Sequence, residues 1–476
     1  MSISSNTHVL VFPYPAQGHM IPLLDLSYIL SRRGLTITIL ITPQNLPILQ
    51  PLLSKSPNFQ PLILPFPKCT SIPQGVENVQ DLPPTGFLSM MQAMSHLHQP
   101  IIQWFRSHPS PPVAIISDLF LGWTHHLASD LGVPRVLFSP SGAKSVAFIN
   151  SLWRTMPAPP GPVCFPEIPS SPKYPWSQVS PVYRSYRKGD PVSEFIKEGM
   201  LVNSASWGVV YNSFAELESE YFDYTRRDLG HTRVWAVGPL LPAEEMGSVH
   251  RGGSGSRPAG EVMSWLDNCA DSSVVYVCFG SQAVLTRRQM EALADGLDRS
   301  GAHFVWSVKG ATKGHEAVGE QAELGAVPAG FEDRVAGRGL IIRGWAPQVA
   351  ILSHRATGAF LTHCGWNSVL EAIVAGVPML TWAMSADQFL NATLLVDELG
   401  AGVRVCEGAQ AIPDSDELAR VLAESLKSSQ AKWVRAKELS RMAMGAVEEG
   451  GSSFRDIDAL VKELCGLDAK KEASPS

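Results

Sequence analysis

The chain has 476 residues, too many for one ordinary compact domain, so two or three domains are expected. Hydrophobic residues make up 45% of it and charged residues 17%, a balance that excludes a disordered or fibrous protein. The formal charge of -6 is balanced in the first half and acidic in the second, and with no basic platform a nucleic-acid partner is excluded.

In chain order, HVLVFPYP (residues 8–15) is a short apolar run that breaks at Pro and Gly before the helical pattern MIPLLDLSYILSRRG. LTITILIT (35–42) follows, so the start reads as a βαβ unit of a parallel sheet. The same grammar returns at VAIISD (113–118), a helix from about Thr124, and RVLF (135–138). The proline-rich stretch APPGPVCFPEIPSSPK is read as a long loop, because proline fits neither a core helix nor a central strand. WGVVYNSF, the acidic helix ELESEYFDYTRRD and the strand RVWAVGP close a first domain over residues 1–241.

Residues 242–260 are rich in Gly and Ser and poor in large apolar side chains, the composition of a linker. A second domain over 261–450 carries the strands SSVVYVCFGS, HFVWSVK, GLIIRGW, ATGAFLTH and GVPMLTW, separated by helical patterns. The fold class is therefore α/β, with two doubly wound Rossmann-like domains facing each other across a cleft. Neither half has GxGxxG after its first strand, which speaks against a dinucleotide-dependent oxidoreductase. A helix over 451–467 and a disordered tail over 468–476 complete the expected organisation.

Seven cysteines, odd in number and without CxxC spacing, indicate a reducing intracellular setting. No stretch reaches the roughly 18 uninterrupted apolar residues of a membrane span, and the start has no basic leader, so a cytoplasmic protein is expected. The histidines and cysteines lack HExxH, HxxxH and paired-Cys spacing, so no metal is expected.

The chemistry concentrates in WAPQVAILSHRATGAFLTHCGWNSVLEAIVAGVPMLTWAMSADQ, from Trp345 to Gln388. Here a strand runs into HCGWNS and then into a helix, so its loop lies at a helix N-terminus where backbone N–H groups and the helix dipole favour an anion such as a diphosphate. His363, Asn367 and Ser368 add donors, and Gly365 allows close approach. A plain strand-to-helix turn with Asn or Ser as N-cap is the alternative for any single residue. A second such loop, FGSQ, places Ser281 after a strand.

This 44-residue box, with WAPQ, HCGWNS, Glu371 and DQ at matching spacing, resembles the signature of plant secondary-product UDP-glycosyltransferases. Weaker likeness at PAQGHM and CFGS extends it over nearly the whole chain. The resemblance implies a GT-B fold, a UDP-sugar as co-substrate, a small phenolic acceptor such as a flavonol, and a monomer. It also implies that Trp345 stacks on the uracil, the Ala346 backbone contacts it, Gln348 and Glu371 hold the ribose, and Asp387 and Gln388 bond the transferred sugar. Gln388 and Trp366 resemble glucose users, with a UDP-rhamnose transferase or a non-catalytic UDP-sugar binding protein as alternatives.

In the same family a histidine matching His19 is the catalytic base. Physically, a helix N-terminus helps keep the imidazole neutral and able to take a proton. Asp118, at the end of its strand, resembles the partner that orients this histidine, with capping of the next helix as the alternative role. Phe87, Phe120 and Phe148, near strand ends of the first domain, are candidates for the acceptor wall.

Overall fold

The computed structural model describes residues 7–83, 86–241, 256–310, 324–427 and 431–472. It divides into two compact units, Met1–Met246 with Gly445–Ser476, and Gly247–Met444.

The first unit is built on a parallel seven-stranded sheet. Its strands are β1 (His8–Phe12), β2 (Thr36–Ile41), β3 (Phe59–Ile63), β4 (Ala114–Asp118) and β5 (Arg135–Ser139). After a small antiparallel hairpin of β6 (Val163–Cys164) and β7 (Lys173–Tyr174), β8 (Gly208–Tyr211) and β9 (Val234–Ala236) finish the sheet. The order is β3-β2-β1-β4-β5-β8-β9. β1, β4 and β5 are buried at every position, which is why they read as unbroken apolar runs. β3 was not foreseen. Its sequence FQPLI contains a proline and buries only Phe59 and Leu62, as suits a strand at the sheet edge. The β6-β7 hairpin lies inside the proline-rich segment expected to be loop throughout.

The second unit holds β10 (Val274–Cys278), β11 (His303–Val308), β12 (Gly339–Arg343), β13 (Thr357–Thr362), β14 (Met379–Ala383) and β15 (Gly402–Glu407). All pair in parallel, in the order β12-β11-β10-β13-β14-β15. β15 was also unforeseen, being an edge strand with Arg404 and Glu407 among its residues. The core beneath this sheet is formed by Val275, Val277, Phe304, Trp306, Leu361 and Trp382 with the helix Arg287–Ser300. Both units are thus doubly wound α/β domains.

The linker expected over 242–260 lies mostly outside the described residues. Its last part is already structured: Ser256 N donates to Arg343 O at 2.8 Å and a helix begins at Ala259. The last two helices are Ala431–Val447 and Ser452–Glu472, separated at Gly450 and Gly451. The final helix inserts Ile457, Leu460, Val461 and Leu464 into the first unit's core. Its Asp456 carboxylate accepts from Ala236 N at 2.7 Å, occupying a backbone donor on edge strand β9. The tail expected to be disordered from residue 468 starts instead as helix, since hydrogen-bonded turns continue to Glu472 and Thr7 Oγ1 bonds Asp468 at 3.2 Å. Residues 473–476 lie outside the described chain.

Candidate active site

Each unit carries a cluster at its topological switch point, where neighbouring strands continue in opposite directions across the sheet and their carboxyl ends leave a crevice. In the first unit this is the boundary between β1 and β4; in the second it is the boundary between β10 and β13.

In the first unit, β1 leads into the helix Gln17–Arg32, placing His19 in its first turn. Ala16 provides no side-chain cap and the first turn holds no acid, so the positive end of the helix dipole faces the histidine. Asp118, the last residue of β4, is fully buried, and its Oδ2 stands 2.8 Å from His19 Nδ1. Its other oxygen, Oδ1, accepts from Phe120 N at 2.8 Å. The two roles weighed for Asp118 are therefore both present, one on each oxygen. A carboxylate accepts, so Nδ1 carries the hydrogen and Nε2 is left as the basic nitrogen. The His19 side chain is 17% exposed, enough to meet a ligand.

Around it stand Phe120, with ring centroids 4.8 Å from His19, and Phe87, 5.0 Å from Phe120. Tyr14 joins them at 5.6 Å from His19, 5.0 Å from Phe87 and 5.4 Å from Phe120, with its hydroxyl donating to Phe87 O at 2.9 Å. Burial pushes the Tyr14 phenol well above its usual range, the nearby Asp118 charge adding to this. Phe148 belongs elsewhere: it is 2% exposed and its ring packs on Phe165 and Tyr174, at 5.0 and 5.3 Å. Its helix turns that face inward, which leaves no surface for a ligand.

Sequence reasoning missed Arg135. Its buried guanidinium donates to Ser117 Oγ, Asn203 Oδ1, Ser206 Oγ and the Asp118 carbonyl, at 2.8, 2.9, 3.1 and 3.3 Å. These bonds tie the end of β4 to its surroundings. Desolvation lowers the Arg135 pKa to about 9, against a smaller upward pull from Asp118. An Arg at the start of an apolar run was the only signal available.

In the second unit the box residues meet at the carboxyl edge of the sheet. The helix Trp366–Ala375 has Gly365 as N-cap, no side-chain cap and no acid in its first turn. Asn367 and Ser368 lie inside the helix, so neither is its N-cap, and the N-terminal N–H groups remain unshielded by a capping side chain. The preceding turn is strained at Cys364, with φ of 65°, and is held by Asn391 Nδ2 donating to Cys364 O at 2.9 Å.

The His363 ring is clamped between two glycines. A Cβ on Gly365 would lie 2.5 Å from its Nε2, and one on Gly280 would lie 2.6 Å from its Cε1. That contact brings the loop carrying Ser281 against the HCGWNS turn, and the Lys309 ammonium fastens the same loop by donating to Ser281 O. Desolvation lowers the His363 pKa to about 4, and Nδ1 is buried with no hydrogen-bond partner among the described residues. The ring is thus a neutral donor or acceptor rather than a cation. Because the folded pKa lies below the unfolded value of about 6.5, this histidine contributes stability above pH 6.5 that is lost as pH falls toward 4. His363→Gln is expected to lose about 2 kcal/mol less stability than wild type between pH 7 and pH 5 in denaturant titrations.

Gln348 is engaged by the protein itself. Its Nε2 donates to Ser368 Oγ at 2.9 Å and to Glu371 Oε2 at 2.7 Å, and its Oε1 accepts from Tyr276 at 3.2 Å. Ala346, 6% exposed, precedes it, and half-buried Trp345 follows β12. Gln388 begins the helix Gln388–Thr393 after β14, beside Asp387, its N-cap. Its Oε1 accepts from Met384 N and Ser385 N at 3.0 and 2.9 Å, which occupies both lone pairs of the amide oxygen and leaves its amide hydrogens as the group able to bond a ligand. Trp366 is 4% exposed and starts the helix behind the turn. Among the described residues there is no group of three or more side chains suited to a metal ion, and no helix long and apolar enough to cross a membrane.

Comparison with known proteins identifies the family. The family described as UDP-glucoronosyl and UDP-glucosyl transferase matches residues 233–433. A flavonol 3-O-glucosyltransferase of Arabidopsis thaliana is 54% identical, the match covering 98% of each chain. A UDP-glycosyltransferase of Stevia rebaudiana is 57% identical over 97% of this chain and 98% of its own. The crystal structure of Arabidopsis thaliana UGT89C1 complexed with UDP-L-rhamnose is 41% identical, covers 97% of this chain and 99% of that one, and superposes with a TM-score of 0.81. With this identity along the whole chain, two parallel-sheet domains and the box residues gathered at one sheet edge, the protein belongs to the plant secondary-product UDP-glycosyltransferases and is an enzyme of that family.

Proposed function

We propose that this enzyme transfers glucose from UDP-glucose, with inversion, to a hydroxyl of a small phenolic acceptor, a flavonol foremost. The observation that carries the reading is the bond of 2.8 Å between His19 Nδ1 and the buried Asp118 carboxylate, which leaves Nε2 free to take a proton. The acceptor O–H gives its proton to His19 Nε2 while its oxygen bonds the anomeric carbon. The bond from that carbon to the diphosphate breaks, and UDP leaves with the electron pair. Asp118 steadies the imidazolium formed. The charge growing on the leaving diphosphate is met by the N-terminus of the helix Trp366–Ala375, with Ser281, His363, Asn367 and Ser368 as further donors.

Trp345 and the Ala346 backbone are assigned to the uracil, Glu371 with Gln348 to the ribose, and Asp387 with Gln388 to the sugar. Asp387 offers acceptors and Gln388 offers donors, a complementary pair for neighbouring hydroxyls. Phe87 and Phe120 form the acceptor wall, backed by the fully buried Tyr14, where flat aromatic rings suit a flat phenolic. The flavonol and glucose assignments follow the named activity of the relative at 54% identity, supported for glucose by Gln388 and Trp366. A UDP-rhamnose donor is the second reading, favoured by the UDP-L-rhamnose complex of a structure 41% identical. In either reading the enzyme works as a cytosolic monomer without a metal.

Proton NMR of the product tests the mechanism. A direct displacement on the α-linked glucose of UDP-glucose yields a β-glucoside, with the large anomeric coupling of that configuration, at an initial rate unchanged by EDTA. An α-glucoside would rule out the single displacement.

A further inference from the structure

Tyr276 lies in the middle of β10, fully buried, with its ring stacked on Phe360 at 5.0 Å and an interplanar angle of 15°. Its hydroxyl donates to Gln348 Oε1 at 3.2 Å, and Gln348 Nε2 passes two hydrogens on, to Ser368 and to Glu371. An ionised carboxylate can only accept, so Glu371 obliges the amide nitrogen of Gln348 to face it. The amide oxygen then points the opposite way, into the sheet, and needs a donor there. The Tyr276 hydroxyl is placed to supply it, with Cys278 and Ser307 as its other polar neighbours.

We propose that Tyr276 is a positioning residue of the donor site, holding the Glu371 carboxylate, through Gln348, in the orientation that accepts from the ribose hydroxyls. The inference rests on the assignment of Glu371 to the ribose given above. Burial raises the Tyr276 phenol well above its ordinary pKa, so the hydroxyl keeps its proton at every working pH. Without it the Gln348 carbonyl loses its donor, the amide turns to find another, and its bond to Glu371 Oε2 goes with it.

The test uses the full chain, wild type and Tyr276→Phe, titrated calorimetrically with UDP and with 2′,3′-dideoxyuridine diphosphate. Phenylalanine keeps the ring and its stacking on Phe360, and a thermal melt checks that the fold is retained. Tyr276→Phe is expected to weaken UDP binding about tenfold and to leave the dideoxy nucleotide within about twofold, since that ligand has no ribose hydroxyls for Glu371 to grip. The KM for the UDP-sugar should rise in step with the loss of UDP affinity while kcat stays within about twofold. Gln348→Leu should reproduce the same selective loss. Equal weakening toward both nucleotides, or UDP affinity unchanged, would overturn the role of Tyr276. If wild type itself binds the two nucleotides equally, the ribose assignment of Glu371 fails instead, which is a separate outcome.

Discussion

Replacing His19 by alanine is expected to lower kcat by about a thousandfold with a phenolic acceptor, while the KM for the UDP-sugar changes by less than about threefold. A phenol or flavonol hydroxyl is too weakly nucleophilic at neutral pH to displace a diphosphate ester without losing its proton during attack. His19 Nε2 is the one ring nitrogen left to take it, because Nδ1 is spent on Asp118. The residues proposed to hold the UDP-sugar belong to the other compact unit and keep their own contacts, so ground-state binding of the UDP-sugar should survive. Steady-state kinetics with both substrates varied separates the two parameters. A turnover close to wild type would remove His19 from the mechanism.

Asp118→Asn is expected to be almost as damaging, lowering kcat by roughly a hundredfold to a thousandfold, yet to leave the fold intact. Asparagine has one oxygen, and the Phe120 N–H that now bonds Oδ1 at 2.8 Å will claim it. That leaves an NH2 group facing His19 Nδ1. Two donors cannot share a hydrogen bond, so the ring must move its own hydrogen to Nε2, the position that has to be bare to accept the substrate proton. The capping bond is kept, and the melting temperature should fall by only a few degrees. Alanine at the same position would lose the cap as well and so mixes two effects. The asparagine variant isolates the tautomer, and a kcat close to wild type would show that Asp118 serves only as a cap.

The parts of this molecule that can be read directly from its residues are those whose physics is local. Runs such as HVLVF, VVYVC and MLTWA announce parallel strands because both faces are buried. β3 and β15 escaped because an edge strand is half solvated, and there a proline or an arginine costs little. His19 and the box stood out because glycines, a helix start and hydroxyl donors sit close together in the chain. Tyr14, Arg135, Tyr276 and Asn391 did not, although each touches a candidate site residue or the turn that carries one. They reach their partners across the fold: Arg135 bonds Asn203, Tyr276 meets Gln348, and Asn391 meets Cys364. No local pattern encodes such meetings. Phe148 failed for the opposite reason, since its place after a strand end suggested a ligand wall but its helix turns the ring into Phe165 and Tyr174.

The same division applies to donor choice. Gln388 and Trp366 could be singled out by position, but only the structure shows that the Gln388 oxygen is committed to Met384 N and Ser385 N, so the proposed contact with the sugar would be made by donors alone. A sugar that offers acceptor oxygens there should bind best, and one that lacks the matching hydroxyl forfeits that bond.

Offering the purified enzyme a flavonol with UDP-glucose and UDP-rhamnose together, in equal amounts, and weighing the products by mass spectrometry tests the central claim most directly. The expected result is a flavonol heavier by one hexose, lost when His19 is replaced by alanine. A product heavier by one deoxyhexose, or an unmodified flavonol after complete incubation, would contradict it.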